Sequence, residues 1–244
     1  MRDLLKWEMK NTLKSKAFWG LGAAFVIGTF LLLLIPITEG GNTGFDMYLS
    51  TLNDFNSLLL FFIGAFAGIH ITGAFDERRI QAAVMAGNSR LSILFAKILS
   101  YSFSVAAFCT ISVLVSSITA FAVGGAGEMD GSFLRAVIIR GFVFILVETA
   151  FSNICVLISL LVKNLGAAIA VNLISLITIY SVAEIFIGRD HVLDVLRFTP
   201  LGQLFLLFFD VSNFNLITAS AVSVAAIALT LGLCYLKFRK EELK

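Results

Sequence analysis

Residues 93–123 read ILFAKILSYSFSVAAFCTISVLVSSITAFAV, thirty-one positions with a single charge, Lys97. The hydrocarbon core of a bilayer is roughly 30 Å thick and an α-helix rises about 1.5 Å per residue, so about 20 apolar residues cross it. This stretch exceeds that length and is expected to tilt or to project into water. Barrel strands would alternate polar and apolar residues with period two; a run rich in Phe, Leu, Ile and Val with small residues between them reads as helix.

Five further segments of the same character lie on either side, at 17–37, 56–75, 133–162, 165–187 and 214–236. The six together predict an all-α integral membrane protein, one transmembrane domain over residues 1–244. Composition agrees: 59% of residues are hydrophobic and 14% charged, and the mean hydropathy is +0.96. Soluble domains are about half apolar and about a quarter charged, and so few charges cannot clothe a water-soluble surface of this size. The basic residues before 17–37 resemble the start of a signal peptide. The apolar run is too long for a signal core and no small-residue cleavage pattern follows it, so it is read as a retained first span.

Lysine and arginine set the orientation. With six spans, fourteen of the eighteen fall on one side of the membrane, and Arg135, Arg140, Arg189 and Arg197 fall on the other. The positive-inside rule makes the first side cytoplasmic and places both termini there. The expected location is the cytoplasmic (inner or plasma) membrane. Net charge is only +2, and no nucleic-acid partner is expected.

Two segments outside the spans carry more information. In 1–16, Leu5, Met9 and Leu13 share one helical face and Lys6, Lys10 and Lys14 repeat beside them. That pattern predicts a helix lying in the membrane interface with Trp7 at headgroup depth. In the outer loop 188–213, residues 201–209 are apolar but too short to cross. Pro200 and Gly202 are expected to break the backbone at its start and to form a re-entrant hairpin.

Motifs of enzyme chemistry are missing from the sequence. It contains no G-x-x-x-x-G-K-[ST] phosphate loop, no H-E-x-x-H and no G-x-S-x-G, so no enzyme activity and no bound cofactor are expected in this chain. Cys109, Cys155 and Cys234 are far apart within apolar runs and read as packing residues rather than a disulfide framework or metal site. His70 and His191 read as ordinary polar residues near a membrane edge.

The most informative loop is 76–97, DERRIQAAVMAGNSRLSILFAK. Ile80, Ala83, Val84 and Gly87 fall on one face of a short helix, and Gly87, Asn88 and Ser89 suit its end and the cap of the next. A compact helix with charged ends, Asp76, Glu77, Arg78 and Arg79 before it and Arg90 and Lys97 after it, suits docking into a groove on another protein. An ordinary connector anchored by basic residues is the alternative.

Within the spans, Glu148 stands near the middle of 133–162, with Asn153, Asn172 and Glu184 as further polar positions. A charge at bilayer depth costs several kcal/mol and is expected to face protein or water. These residues are candidates for a translocation path or for buried structural hydrogen bonds. Gly64 and Gly68 form a G-x-x-x-G, expected to pack within the chain or at a dimer interface.

The order of these features resembles the membrane subunit of type-2 ABC transporters over essentially the whole chain. The basic helix 1–16 precedes the first span, the G-x-S-R…K pattern of Gly87, Ser89, Arg90 and Lys97 follows the second, and an element around 199–210 lies between the fifth and sixth. The family's acidic residue followed by Gly-Thr in that loop is replaced here by Arg79-Ile80-Gln81. The resemblance is greatest to small permeases of bacterial peptide or antibiotic export and immunity systems. It implies a separate ABC ATPase subunit that carries the ATP and Mg, a second permease chain, identical or homologous, and residues 76–92 as the loop that engages the ATPase. Two other functions suit the same residues. One is a proton- or ion-coupled carrier that uses Glu148, Glu184 or His70. The other is a membrane scaffold or immunity protein that recruits a partner without transport.

Overall fold

A computed structural model of the chain describes residues 2–33, 44–77, 79–124, 131–162, 164–186, 195–209 and 215–239. The described residues are almost entirely helical and include no strand. In chain order the helices are α1 (Arg2–Lys14), α2 (Lys16–Leu33), α3 (Gly44–Ala67), α4 (Gly73–Asp76), α5 (Arg79–Met85), α6 (Arg90–Gly124), α7 (Gly131–Leu161), α8 (Leu165–Phe186), α9 (Pro200–Phe209) and α10 (Leu216–Arg239). A π-helical turn, Gly68–Thr72, joins α3 to α4.

Among the described residues, five helices are long and apolar enough to cross a membrane: Phe45–Asp76, Arg90–Ala122, Leu134–Leu161, Leu165–Ala183 and Leu216–Arg239. They make the chain a multi-pass helical membrane protein by length and composition. α1 and α2 meet at a 56° bend and together form a further candidate. The expected first span, 17–37, is helical as far as Leu33, and its last four positions lie outside the described residues.

The second span starts earlier than the apolar pattern suggests, at Gly44 rather than residue 56. Asp46, Asn53 and Asp54 dilute the hydropathy there. The helix continues because Met47, Tyr48, Leu49 and Leu52 are buried while Asp46 and Asp54 stay exposed.

α3, α6 and α7 make the hub of the bundle. Leu59, Ile63, Phe66, Tyr101, Val105, Phe144, Val147 and Phe151 are buried among them. In the most apolar stretches of Phe45–Asp76 and Leu134–Leu161, 67% of residues are buried, against 17% in Leu165–Ala183 and Leu216–Arg239. The outer helices therefore expose apolar side chains, such as Ile174 and Ile185 on α8 and Ile217 and Leu229 on α10. In water a belt of that size would drive association; in a bilayer it faces lipid.

α9 departs from the expected hairpin start. Pro200 and Gly202 do not break the backbone but begin a helix. Pro200 takes the first helical position, where its missing N–H costs nothing, and the Thr199 hydroxyl accepts a hydrogen bond from the Gly202 N–H at 3.1 Å. A Cβ on Gly202 would collide with the Leu196 carbonyl, so the turn admits no side chain there. Residues 201–208 are all buried, packed on α7 and α10 and touching α3 and α8.

Candidate functional site

The loop after the second span is closed by local hydrogen bonds. α5 presses Ile80 and Ala83 inward, Val84 is half-buried, and Gly87 is exposed. Gly87 adopts φ +85°, the left-handed region where a Cβ is strained. Its N–H donates to the Val84 carbonyl (2.9 Å), and the Asn88 N–H donates to the Ala83 carbonyl (3.3 Å), the paired bonds of a Schellman motif. The Asn88 side-chain amide adds a bond to the same Ala83 carbonyl at 3.0 Å. Ser89 then caps α6, its hydroxyl accepting from the Ser92 N–H at 3.2 Å. Three consecutive residues thus stop one helix and start a 35-residue one.

Of the charged residues before α5, Asp76 and Glu77 are exposed and Arg79 pairs with Glu77 at 2.8 Å. Glu77 is exposed while Arg79 is half-buried, and such a partly exposed pair contributes little stability. Arg78 lies outside the described residues. Arg90 is exposed at the first turn of α6.

Lys97 is not presented with them. It is 3% exposed, and its ammonium lies 2.9 Å from a carboxylate oxygen of Glu8, itself 2% exposed, on α1. The face that α1 buries is therefore Leu4, Glu8 and Thr12. Of the apolar stripe, Leu5 and Met9 are half-buried, with Leu5 against the core, while Leu13 is exposed; Trp7 is exposed as well. The reason is pairing: a buried carboxylate and a buried ammonium stabilise the contact only together.

The polar contacts continue from this pair. The Thr12 hydroxyl donates to the Glu8 carbonyl (3.0 Å) and lies 3.3 Å from the Ser100 hydroxyl. Ser100 Oγ lies 2.7 Å from Nε2 of His70, which stands in the π-helical turn and stacks on Phe66. α1, α6 and the second span are thus tied by one run of polar contacts through Lys97, Glu8, Thr12, Ser100 and His70, with the Glu8–Thr12 link made through the Glu8 backbone carbonyl. π-turns within α-helices often mark functional positions. Hydropathy patterning singled out neither Glu8 nor Ser100.

Deeper in the bundle, Tyr101 donates between two carbonyls, Ile63 (3.3 Å) and Ser152 (3.2 Å), linking α3, α6 and α7. Asn172 donates to the Ser159 hydroxyl (2.8 Å) and to the Gly64 carbonyl (3.2 Å), joining α8 to α7 and α3. Gly64 and Gly68 serve the same packing. A Cβ on Gly64 would stand 3.1 Å from Leu176, and one on Gly68 would stand 2.7 Å from Ile169, so both glycines seat α8 within the chain. Asn153 donates one turn back to the Thr149 carbonyl at 2.9 Å. The side chain of Glu184 lies outside the described residues.

Glu148 differs from all of these. It is 0% exposed, and neither carboxylate oxygen has a hydrogen-bond partner among the described residues. The Asn56 amide is equally buried and equally without one. Cys109, Cys155 and Cys234 are buried free thiols. Among the described residues no group of three or more His, Cys, Asp or Glu is placed to hold a metal ion.

The chain matches no protein-family model, and comparison with curated proteins finds no relative.

Proposed function

We propose that this chain is the membrane-spanning permease half of an ATP-driven ABC exporter. It would move an amphipathic or hydrophobic cargo, such as a peptide, an antibiotic or a lipid-like molecule, out of the cytoplasm. A separate ATPase subunit powers it, and a second permease chain completes the pathway across a two-fold axis. In this reading α2 is the first of six spans, and both termini are cytoplasmic. α1 lies in the interface, and α9 is the re-entrant element on the outer side.

The observation that carries the reading is α5. It is a seven-residue helix preceded by the exposed Asp76 and Glu77, capped at its end and joined through four residues to α6. A short rigid helix held between two long ones is the shape a motor subunit can push. ATP would act by binding to the partner, which favours one arrangement of the spans over the other. Coexpression with a candidate phosphate-loop ATPase from the same genome tests this. ATP-dependent export from cells or into inverted vesicles, lost when that ATPase is inactivated, is the expected result. Export that survives its loss would end the proposal.

A proton- or ion-coupled carrier is the second reading, and Glu148 favours it. A buried carboxylate without hydrogen bonds from the described residues, at the bundle centre, is costly to hold and needs a reason. Dissipating the proton gradient at constant ATP separates the two: a pump continues and a carrier stops.

A further inference from the structure

We propose that the groove between α2 and α6 is a binding site for one anionic phospholipid. The groove has a volume of about 580 Å³ and its walls include Leu13, Trp19, Gly22, Val26, Phe103 and Ile111. That volume lies within the roughly 300–1,000 Å³ of ordinary ligand pockets. Its floor is low because α2 has glycine at position 22: a Cβ there would already stand 3.4 Å from the buried ring of Phe108. Its walls stand high because Trp19, Val26, Ile27 and Phe103 project outward, each with about half or more of its surface exposed. The wall and floor are apolar along their length and suit an acyl chain.

Charge selects the headgroup. The α1–α2 elbow closes one end of the groove, and the Trp19 indole donates to the Leu13 carbonyl across it at 2.6 Å. Lys14 and Lys16 lie on the elbow between these two lining residues, and both are exposed. Lys10 follows one turn back on α1, also exposed. The acidic residue nearest to them on α1, Glu8, is buried against Lys97 and does not offset them. An apolar trough with exposed lysines on the adjoining elbow is complementary to a phosphate-bearing lipid with net negative charge. Each lysine is worth about fivefold in preference over a zwitterionic lipid. The site is independent of any pump and requires only that α2 lies in a bilayer.

Trp7 and Trp19 are the two tryptophans of the chain. The variant Trp7→Phe leaves Trp19, at the groove, as the only strong fluorophore. The full chain is reconstituted in phosphatidylcholine vesicles containing a minor fraction of brominated lipid, either phosphatidylglycerol or phosphatidylcholine. The brominated phosphatidylglycerol is expected to quench Trp19 at a several-fold lower mole fraction. Adding Lys14→Gln and Lys16→Gln should bring the two lipids to parity, and Ala23→Phe, which fills the trough, should reduce quenching by both. Parity before the lysines are changed would mean unselective lipid contact and would overturn the proposal. So would selectivity that survives their loss. Absence of quenching by either lipid would place a second copy of the chain over the groove, and quenching by aqueous acrylamide instead would place α2 outside the bilayer; either overturns it.

Discussion

The Glu8 carboxylate on α1 and the Lys97 ammonium on α6 lie 2.9 Å apart with both side chains almost wholly buried, across 89 positions of sequence. Removing either partner leaves an unpaired buried charge, which costs about 3–5 kcal/mol. Glu8→Ala or Lys97→Ala should therefore lower the unfolding temperature in detergent markedly. The double replacement Glu8→Leu with Lys97→Met should recover most of that loss, because two apolar side chains need no partner. Equal stability of a single variant and the parent would deny the pair its place.

Gly68 offers a test of helix packing. Alanine there must displace Ile169 or push α8 away, an overpacking cost of about 1–3 kcal/mol. A Cβ on Gly232 of α10 would meet nothing within 4 Å, so Gly232→Ala should be neutral or stabilising by about 0.5–1 kcal/mol through helix propensity alone. Thermal unfolding of the two variants side by side reads the difference.

Gly87 has open space around it and a positive φ, so the penalty of Gly87→Ala is conformational rather than steric, about 1–2 kcal/mol. Gly87→Asn should cost less, since asparagine tolerates the left-handed region. Limited proteolysis between α5 and α6 should accelerate in the order parent, asparagine, alanine.

Glu148→Gln removes the charge and keeps the shape. Under the proposed ATP-driven export, transport is expected to persist in this variant, with the same pH profile as the parent. A lost or shifted profile would make Glu148 a coupling residue and favour the carrier.

The caps between α5 and α6 were readable because they are local: Gly87, Asn88 and Ser89 each act within five residues of themselves. The long apolar runs were readable because a bilayer demands length and little else. The buried face of α1 was not, because Glu8 and Thr12 look like surface residues until Lys97 and Ser100 arrive from a distant helix. For the same reason Lys97 read as part of a docking surface. The early start of α3 was hidden by Asp46 and Asp54, which face outward from a helix whose other side is buried. Pro200 and Gly202 read as breakers, yet proline at the first turn of a helix and glycine against a carbonyl both favour the start of one.

The central claim is that a separate ATPase engages the loop around α5. Copurification of a coexpressed candidate phosphate-loop ATPase from the same genome with the parent chain and with the double variant Arg78→Glu and Arg79→Glu, followed by ATP-driven transport in proteoliposomes, tests it most directly. The account predicts that the parent retains the ATPase and transports, and that the variant loses both while remaining folded. Equal copurification and equal transport by the two would contradict it.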